Sequence, residues 1–160
     1  MTMERENDQS PLERAIEIAL RAHRGQRDRA GRPYITHPLR MMGRARTADE
    51  QIVAVLHDTV EDGGPNGVTM QTLRAEGFDE RILLAVDALT RRKVGLFPQR
   101  DADETYEAFV DRTAADPLAR AVKLLDLSDN MDVSRLPGVD SGDAQRLDRY
   151  VKAWHRLTET

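Results

Sequence analysis

Hydrophobic residues recur at helical spacing along most of the chain, and no segment shows the apolar and polar alternation that is typical of a strand. The clearest case lies near the C-terminus, where the apolar residues occupy positions i, i+3, i+4, i+7 and i+10: Leu147, Tyr150, Val151, Trp154 and Leu157. Residues at this spacing share one face of a helix, so we expect this stripe to be buried. The pattern predicts an all-α fold, a compact bundle of about seven or eight helices.

Capping signals place the boundaries of several predicted helices. Ser10 to Glu13 and Thr47 to Glu50 both have a hydroxyl residue followed three positions later by glutamate, which is the pattern of a capping box. The predicted helices span about residues 11–24, 34–46, 47–62, 69–75, 79–93, 104–114 and 117–133, followed by the C-terminal helix. The Gly-Gly-Pro-Asn-Gly run at 63–67 is typical of a turn between two of them.

Length and composition bound the class of protein. The 160 residues fit one domain, which we place at residues 10–160, and the polar residues 1–9 are expected to be poorly ordered. The 24 Lys and Arg against 28 Asp and Glu give a net charge of −4, which argues against nucleic acid as a partner. No apolar run approaches the roughly 20 residues of a membrane span, so no membrane partner is expected.

Cysteine is absent, which excludes a disulfide framework, a thiolate zinc site and a cysteine nucleophile. This absence fits a cytoplasmic localisation, where disulfides are rare. The apolar helix faces suit either an internal core or a homo-oligomer, so the oligomeric state stays open.

One turn in the middle of the chain concentrates histidine and acidic residues: His57, Asp58, Glu61 and Asp62. If one helix continues through it, residues four positions apart point the same way, which pairs His57 with Glu61 and Asp58 with Asp62. The C-terminus of a helix disfavours acids, so a positive group is expected beside them. Imidazole and carboxylate together suit a divalent ion such as manganese, iron or zinc.

Two other places offer further ligands. His37 directly precedes a proline at the start of a predicted helix, and Asp126 lies among apolar residues of a later helix. An acid buried alone would be costly, so we expect Asp126 to have a partner or a metal. Asn130 follows one turn later on the same helix face.

Taken together, these segments resemble the HD-superfamily metal-dependent phosphohydrolases, and within them the hydrolase domain of RelA/SpoT-type alarmone enzymes and their small stand-alone relatives. The matching segments are Ala22 to Gln26, Gly31 to Pro38, Leu56 to Asp62, Asp87 to Thr90 and Val122 to Met131. They occur in the family's order and at roughly its spacing. The resemblance implies a single HD-type phosphohydrolase domain.

The resemblance also implies roles for the polar residues. The implied metal ligands are His37, His57, Asp58 and Asp126, which would bind one divalent ion per chain, Mn²⁺ or another divalent transition metal. Glu61 and Asp62 are similar to the pair that positions or deprotonates the attacking water. Such a division is chemically sensible, because a bound ion lowers the pKa of its water while a nearby carboxylate takes the proton.

Five residues are candidate contacts for a phosphorylated nucleotide: Arg24, Arg29, Tyr34, Lys123 and Asn130. The two arginines belong to a loop rich in arginine, whose guanidinium groups suit phosphate oxygens, although a solvated surface is the alternative for each. Tyr34 either stacks on a base or fills the core. By resemblance, Asn130 is a substrate contact.

Two histidines and one aromatic residue are expected to have other roles. His23 lies on the apolar face of the first helix and is expected to pack there or to support a ligand. Trp154 is expected in the core, and His155 is expected to be exposed.

Two positions depart from the alarmone hydrolases. Asp129 stands where they usually have a histidine, and Asp28 stands where they usually have a basic residue. Both departures are expected to lower the positive charge around a heavily phosphorylated substrate.

Three functions are therefore considered. The first is a Mn²⁺-dependent pyrophosphohydrolase that removes the 3′-diphosphate of guanosine tetraphosphate, and synthesis of that alarmone is not expected. The second is an HD phosphohydrolase acting on another nucleotide or phosphoester, which would release different products. The third is a non-catalytic nucleotide- or metal-binding module, against which the Glu61 and Asp62 pair argues, because a binding protein needs no base.

Overall fold

The computed structural model describes residues 9–97 and 99–159, and over these ranges the chain contains helices and no β-strand. The nine α-helices of the described residues are α1 Pro11–Ala22, α2 Thr36–Arg44, α3 Ala48–Leu56, α4 Thr59–Gly63, α5 Met70–Ala75, α6 Glu80–Leu89, α7 Tyr106–Ala114, α8 Pro117–Asn130 and α9 Ser141–Thr158. Two 3₁₀ turns follow α4 and α8, at Gly64–Asn66 and Val133–Arg135. The prediction of an all-α fold is confirmed. Most of the segment predicted to be poorly ordered, residues 1–8, lies outside the described residues, and the single domain over residues 10–160 stays a prediction.

Local capping explains where the helices begin. The Ser10 box forms completely, because the Ser10 hydroxyl accepts from the Glu13 amide and the Glu13 carboxylate accepts from the Ser10 amide. At Thr47 only half of the predicted box forms. Its hydroxyl accepts from the Glu50 amide, whereas the Glu50 carboxylate accepts from the amide of Arg46, one residue earlier.

The segment predicted as one helix over residues 47–62 is instead two helices. α3 ends at Leu56 and α4 begins at Thr59, with Asp58 at φ −105°, ψ 1° between them. Side chains support the break, because His57 Nδ1 donates to the Ala54 carbonyl at 2.7 Å and the Thr59 hydroxyl donates to the Leu56 carbonyl at 2.8 Å. These bonds satisfy carbonyls that the end of a helix leaves open.

This break changes the electrostatic interpretation of the acidic turn. Glu61 and Asp62 lie in the first turn of α4, where the helix dipole favours acids, rather than at the disfavoured end of one long helix. The prediction that His57 and Glu61 share a face of one helix is therefore wrong. His57 and Asp58 form the joint between α3 and α4.

Helix α3 is the centre of the main hydrophobic core. All five residues from Ile52 to Leu56 are buried, and the helix packs against α1, α2, α6 and α8. A segment that is apolar on every side, such as this C-terminal half of α3, is typical of a fully enclosed position. This central position holds the joint at its C-terminal end against the surrounding helices.

The C-terminal helix belongs to a second core. Ala153 and Leu157 of α9 pack with residues of α7 and α8, and Tyr150 and Trp154 lie partly buried against this cluster. Val151 is 44% exposed, so its predicted burial is wrong. The reason is that α9 turns Ala153 and Leu157 toward its neighbours, which leaves Val151 on the solvent side. His155 is exposed, as predicted.

Helices α1 and α4 approach each other closely at Gly63. A Cβ atom at this position would lie 2.7 Å from Ala22 Cβ and 3.3 Å from Ala22 Cα. Real Cβ atoms do not approach other atoms as closely as the shorter distance, so the absence of a side chain permits this packing. Among the helices of the described ranges, none combines the length and the apolar character needed to cross a membrane.

Candidate active site

A cavity of about 440 Å³ opens between the loop from α1 to α2, the start of α4, and helices α7, α8 and α9. Its volume lies within the range of roughly 300–1,000 Å³ that is typical of small-molecule sites. The residues that line it include His37, Asp58, Glu61 and Asp126. Three of the four predicted ligands and one predicted base thus line the same cavity, although they come from three separate stretches of chain.

The four predicted metal ligands converge. The ligand atoms of His37, His57 and Asp58 all lie within 4.8 Å of one another. Asp126 joins them, because its Oδ1 is 3.1 Å from His37 Nε2 and 3.8 Å from His57 Nε2. Two imidazoles and two carboxylates in one cluster form a donor set that suits a divalent transition metal.

The imidazole of His57 provides the test of whether these residues fit a metal. Its Nδ1 donates to the Ala54 carbonyl at 2.7 Å, which leaves Nε2 with a free lone pair. That Nε2 is buried and has no hydrogen-bond partner among the described residues, although Asp58 Oδ2 lies 3.0 Å away. A buried nitrogen whose tautomer is fixed by a backbone carbonyl is the usual arrangement of a histidine ligand. The residues present therefore fit a bound divalent cation.

Neighbouring groups keep both carboxylates ionised. Burial alone would raise the pKa of Asp58, but the adjacent imidazole of His57 lowers it below its usual value. For Asp126, the adjacent Lys123 ammonium and the hydrogen bond with His37 likewise outweigh burial and lower the pKa. Both groups are thus in the charged form that metal binding requires.

The two predicted catalytic acids have different surroundings. Glu61 lines the cavity and its Oε1 lies 2.6 Å from Lys93 Nζ, in the connection that follows α6. Asp62 is exposed and is not among the residues lining the cavity. Partial burial of its carboxyl and the neighbouring Asp58 and Glu61 carboxylates raise the pKa of Asp62 to about 6. The structure therefore places Glu61, and not Asp62, in the lining of the cavity with the predicted ligands His37, Asp58 and Asp126.

The predicted substrate contacts divide into two groups. Arg29 lines the cavity, where its Nη2 pairs with Asp143 of α9 at 2.7 Å. Arg24 is exposed and does not line the cavity, so the structure does not bring it to the site. The sequence pattern could not separate the two, because both belong to the same arginine-rich loop.

Tyr34, Lys123 and Asn130 line the cavity but bind the predicted ligands directly. The Tyr34 hydroxyl donates to Asp58 Oδ2 in a short hydrogen bond. Lys123 Nζ and Asn130 Nδ2 each donate to an oxygen of Asp126 at 2.7 Å. Their described contacts are therefore those of groups that orient the metal ligands.

His23 lies next to Tyr34, with ring centroids 4.8 Å apart. It is buried, and its Nδ1 donates to Gln26 Oε1 at 2.8 Å. Gln26 in turn donates from Nε2 to the Asp62 carbonyl at 2.9 Å. His23 thus supports the site through packing and hydrogen bonds, as predicted, and lies outside the group of metal-ligand candidates found in the described part of the chain.

The two acidic departures make contacts within the fold. Asp129 is fully buried, and its carboxylate faces the guanidinium groups of Arg40, Arg44 and Arg135. Asp28 accepts through Oδ1 from two amides of its own loop, each at 2.9 Å, which stabilises the turn before Tyr34. Two of the arginines that pair with Asp129, Arg40 and Arg135, also line the cavity.

Sequence reasoning missed most of the cations that line the cavity. The eight cationic side chains are Arg27, Arg29, Arg40, Arg91, Lys123, Arg135, Arg146 and Arg149. Six acidic side chains line the same cavity, and they include the predicted ligands Asp58 and Asp126 and the predicted base Glu61. A bound divalent ion would add further positive charge, so the site suits an anionic ligand. No sequence signal marked the arginines of α9, because their position depends on how that helix packs.

Comparisons with known proteins agree with the resemblance. No model of a protein family matches the chain. A GTP pyrophosphokinase of Streptomyces coelicolor is 33% identical over 153 residues, which are 91% of this chain and 18% of that protein. A guanosine-3′,5′-bis(diphosphate) 3′-pyrophosphohydrolase of Aquifex aeolicus is 33% identical over 125 residues, or 75% of this chain and 17% of that protein. A bifunctional (p)ppGpp synthase/hydrolase RelA of Mycobacterium tuberculosis is 34% identical over 134 residues, or 80% of this chain and 17% of that protein.

The chain spans less than one fifth of the length of each of these curated relatives. Their names cover both synthesis and hydrolysis of guanosine polyphosphates. Most of this chain is matched in each case, at about one residue in three, and the matched segment includes residues that converge at the cavity. The chain therefore belongs to the RelA/SpoT family.

Proposed function

We propose that this chain is an HD-type metal-dependent phosphohydrolase that removes the 3′-diphosphate of guanosine tetraphosphate or pentaphosphate. The observation that carries the proposal is the buried, unpartnered Nε2 of His57, which faces the carboxylates of Asp58 and Asp126 beside His37. A site of imidazoles and carboxylates favours hydrolysis over synthesis, because it offers metal ligands together with a carboxylate base. The relative from Aquifex aeolicus is named for that hydrolysis.

The proposed ligands of the ion are His37, His57, Asp58 and Asp126. A bound Mn²⁺ would lower the pKa of a water molecule toward about 7 and offset charge on a phosphoryl oxygen. Tyr34, Lys123 and Asn130 hold the carboxylate ligands in place through the hydrogen bonds described above. These partners leave few orientations open to Asp58 and Asp126, which is the usual role of groups behind a metal ligand.

Glu61 is the proposed general base. It lines the cavity, and its ion pair with Lys93 fixes the position of its carboxylate. The water loses its proton to Glu61, and its oxygen bonds to the phosphorus that is attached to the 3′ oxygen. The bond between that phosphorus and the 3′ oxygen breaks, and the released 3′ oxygen takes up a proton from solvent. The products are pyrophosphate and a guanosine nucleotide that keeps its 5′ phosphates. Asp62 is proposed to raise the negative potential beside Glu61 and not to contact the substrate.

A screen of phosphorylated nucleotides with Mn²⁺ present, in which both products are identified, tests the proposal. Guanosine tetraphosphate should yield pyrophosphate and GDP. Release of inorganic phosphate from another nucleotide or phosphoester would instead support a different phosphohydrolase of the same fold. Mn²⁺ binding without turnover of any substrate would support a binding module.

Variants of the ligands sharpen this test. His57→Ala and Asp58→Ala should abolish Mn²⁺ binding and turnover, because each removes a ligand. His155→Ala and Asp148→Ala are matched controls, since both residues are exposed on α9, and they should leave binding and turnover unchanged. Full activity of a metal-free preparation would refute the mechanism.

A further inference from the structure

Asp129 on α8 is fully buried, although the proposed reaction gives it no part. Its Oδ2 lies 2.7 Å from His37 Nδ1. An ionised carboxylate can only accept a hydrogen bond, so Nδ1 of His37 carries the proton. The family resemblance offers no role for an acid here, since the related enzymes usually have a histidine at this position.

The arginines around Asp129 keep it ionised and in place. Arg40 donates to both oxygens, from Nε and from Nη2, each at 2.8 Å. Arg135 Nη2 lies 3.3 Å from Oδ2, and Arg44 Nη1 lies 3.5 Å from Oδ1. The buried charge is therefore compensated by neighbouring cations.

The consequence concerns the other nitrogen of His37. Nε2 faces the proposed metal site, where it lies at hydrogen-bond distance, 3.1 Å, from Asp126 Oδ1, so a bound ion would replace the proton between these two ligand atoms. A histidine can ligate only through a nitrogen without a proton, and the partner of the other nitrogen decides which one that is. Because Asp129 holds the proton on Nδ1, Nε2 is the nitrogen that remains for an ion.

We propose that Asp129 is a positioning residue, which fixes the ring and tautomer of His37 so that Nε2 binds the metal. This inference rests on the proposed metal site. Asp129 contacts His37 and the arginines, and it acts on the ion only through His37.

Replacement by asparagine separates this role from simple packing, because the side chain keeps its size. Asn has one accepting oxygen and one donating amide, whereas Arg40 can only donate. If the oxygen faces Arg40, the amide faces His37 and forces the proton onto Nε2, which blocks ligation. If the oxygen faces His37, the amide opposes the guanidinium. Either arrangement weakens metal binding.

The experiment is a Mn²⁺ titration of the purified chain, in which free Mn²⁺ is followed by electron paramagnetic resonance. Asp129→Asn should raise the Kd for Mn²⁺ by about 10–100-fold, the usual effect of losing a group behind a metal ligand. Arg40→Met should not raise the Kd comparably, because Asp129 then keeps its bond to His37 and loses a competing donor. Asp148→Asn is the matched control, since it removes an exposed carboxylate paired with Lys152, and its Kd should be unchanged.

The outcomes separate the possible failures. If the unsubstituted chain binds no Mn²⁺, the proposed metal site fails and the role of Asp129 fails with it. If Asp129→Asn binds Mn²⁺ as tightly as the unsubstituted chain, only the inference about Asp129 is overturned. An equal loss in Asp129→Asn and Arg40→Met would overturn it too, because the effect would then pass through the guanidinium.

A second measurement needs no variant and so does not depend on the folding of one. Long-range ¹H–¹⁵N spectra of the Zn²⁺-loaded chain distinguish the two ring nitrogens of each histidine. Nδ1 of His37 should be protonated and Nε2 should have the shift of a metal-bound nitrogen. The opposite assignment, or a His37 ring with no bound nitrogen, would overturn the inference.

Discussion

Replacement of Gly63 by alanine tests the contact between α1 and α4 on which the position of Glu61 depends. The added Cβ would lie 2.7 Å from Ala22 Cβ and 3.3 Å from Ala22 Cα. A backbone atom cannot move away by changing rotamer, so α1 and α4 must separate. Overpacking of this kind costs about 1–3 kcal/mol. The lower entropy of the unfolded alanine chain offsets about 0.4–1 kcal/mol of that cost, which leaves a net loss centred on about 1.3 kcal/mol and no larger than about 2.6 kcal/mol.

Gly43 in α2 provides a control. It lies within the helix at an exposed position, and a Cβ there would meet no atom within 4 Å. Gly43→Ala should therefore stabilise the fold by about 0.4–1 kcal/mol, a change of opposite sign. Urea titrations followed by circular dichroism measure both changes, and Tm should shift by about 2–4 °C per kcal/mol for a chain of this size. If Gly63→Ala stabilised the fold as much as Gly43→Ala, the close approach of α1 and α4 would be refuted.

Three further predictions address the second core, a buried ion pair and the chemistry. Leu157→Ala should lower the free energy of unfolding by about 2–5 kcal/mol, because Leu157 is fully buried. Val151→Ala, on the solvent side of α9, should change the free energy of unfolding by less than about 0.5 kcal/mol. Urea titration measures both changes, and equal losses would contradict the assigned face of α9. Burial raises the pKa of Glu104, but its hydrogen bonds with Arg112 and the Arg92 amide lower this pKa overall. The ionised carboxylate therefore stabilises the fold at pH values above its unfolded pKa of about 4.3, and this stabilisation is lost as the pH falls through its folded pKa. Glu104→Gln should therefore cost about 1.5–3 kcal/mol at pH 7, with a difference from the unsubstituted chain that narrows toward pH 3; a difference that is constant with pH would refute the ionic origin. Glu61→Gln should keep Mn²⁺ binding and lower turnover by about 10²–10⁴-fold, measured as pyrophosphate release, and loss of the metal would identify Glu61 as a ligand instead of a base.

Local signals in the sequence predicted the helical architecture well. Ser10 and Thr69 mark the starts of α1 and α5, and Asp116 caps α8 through a bond to the amide of Ala119. Such caps depend on residues within one turn of each other, so the sequence alone contains the information. The break after Leu56 was missed for the opposite reason. Apolar spacing continues through it, and the side-chain bonds of His57 and Thr59 that support it leave no periodic signal.

The candidate site was predicted unevenly for a similar reason. His37 and Asp126 lie close together in the structure, as the family resemblance implies. The resemblance names these residues as ligands but does not give the distances between them. The role of Asp129 was not foreseen, because its partner His37 lies 92 positions away in the chain. From the sequence, Asp129 predicted a lower positive charge at the site. In the fold, the Asp129 carboxylate pairs with Arg40, Arg44 and Arg135, and no pattern in the sequence indicates these partners. Charge in a folded site depends on tertiary neighbours, which composition and spacing do not give.

The pairing of His37 with Asp126 also has a consequence for the order of folding. These residues are 89 positions apart, so their contact closes most of the chain into a loop. Loop closure of this length costs conformational entropy that is recovered only when α2 packs against α8. A partly synthesised or partly folded chain would therefore hold the four ligands apart and bind metal weakly. An ion bound to the finished site would stabilise the whole native state by mass action, by about 2.7 kcal/mol at 100 times its Kd, and would make the resistance of the chain to proteolysis depend on metal supply.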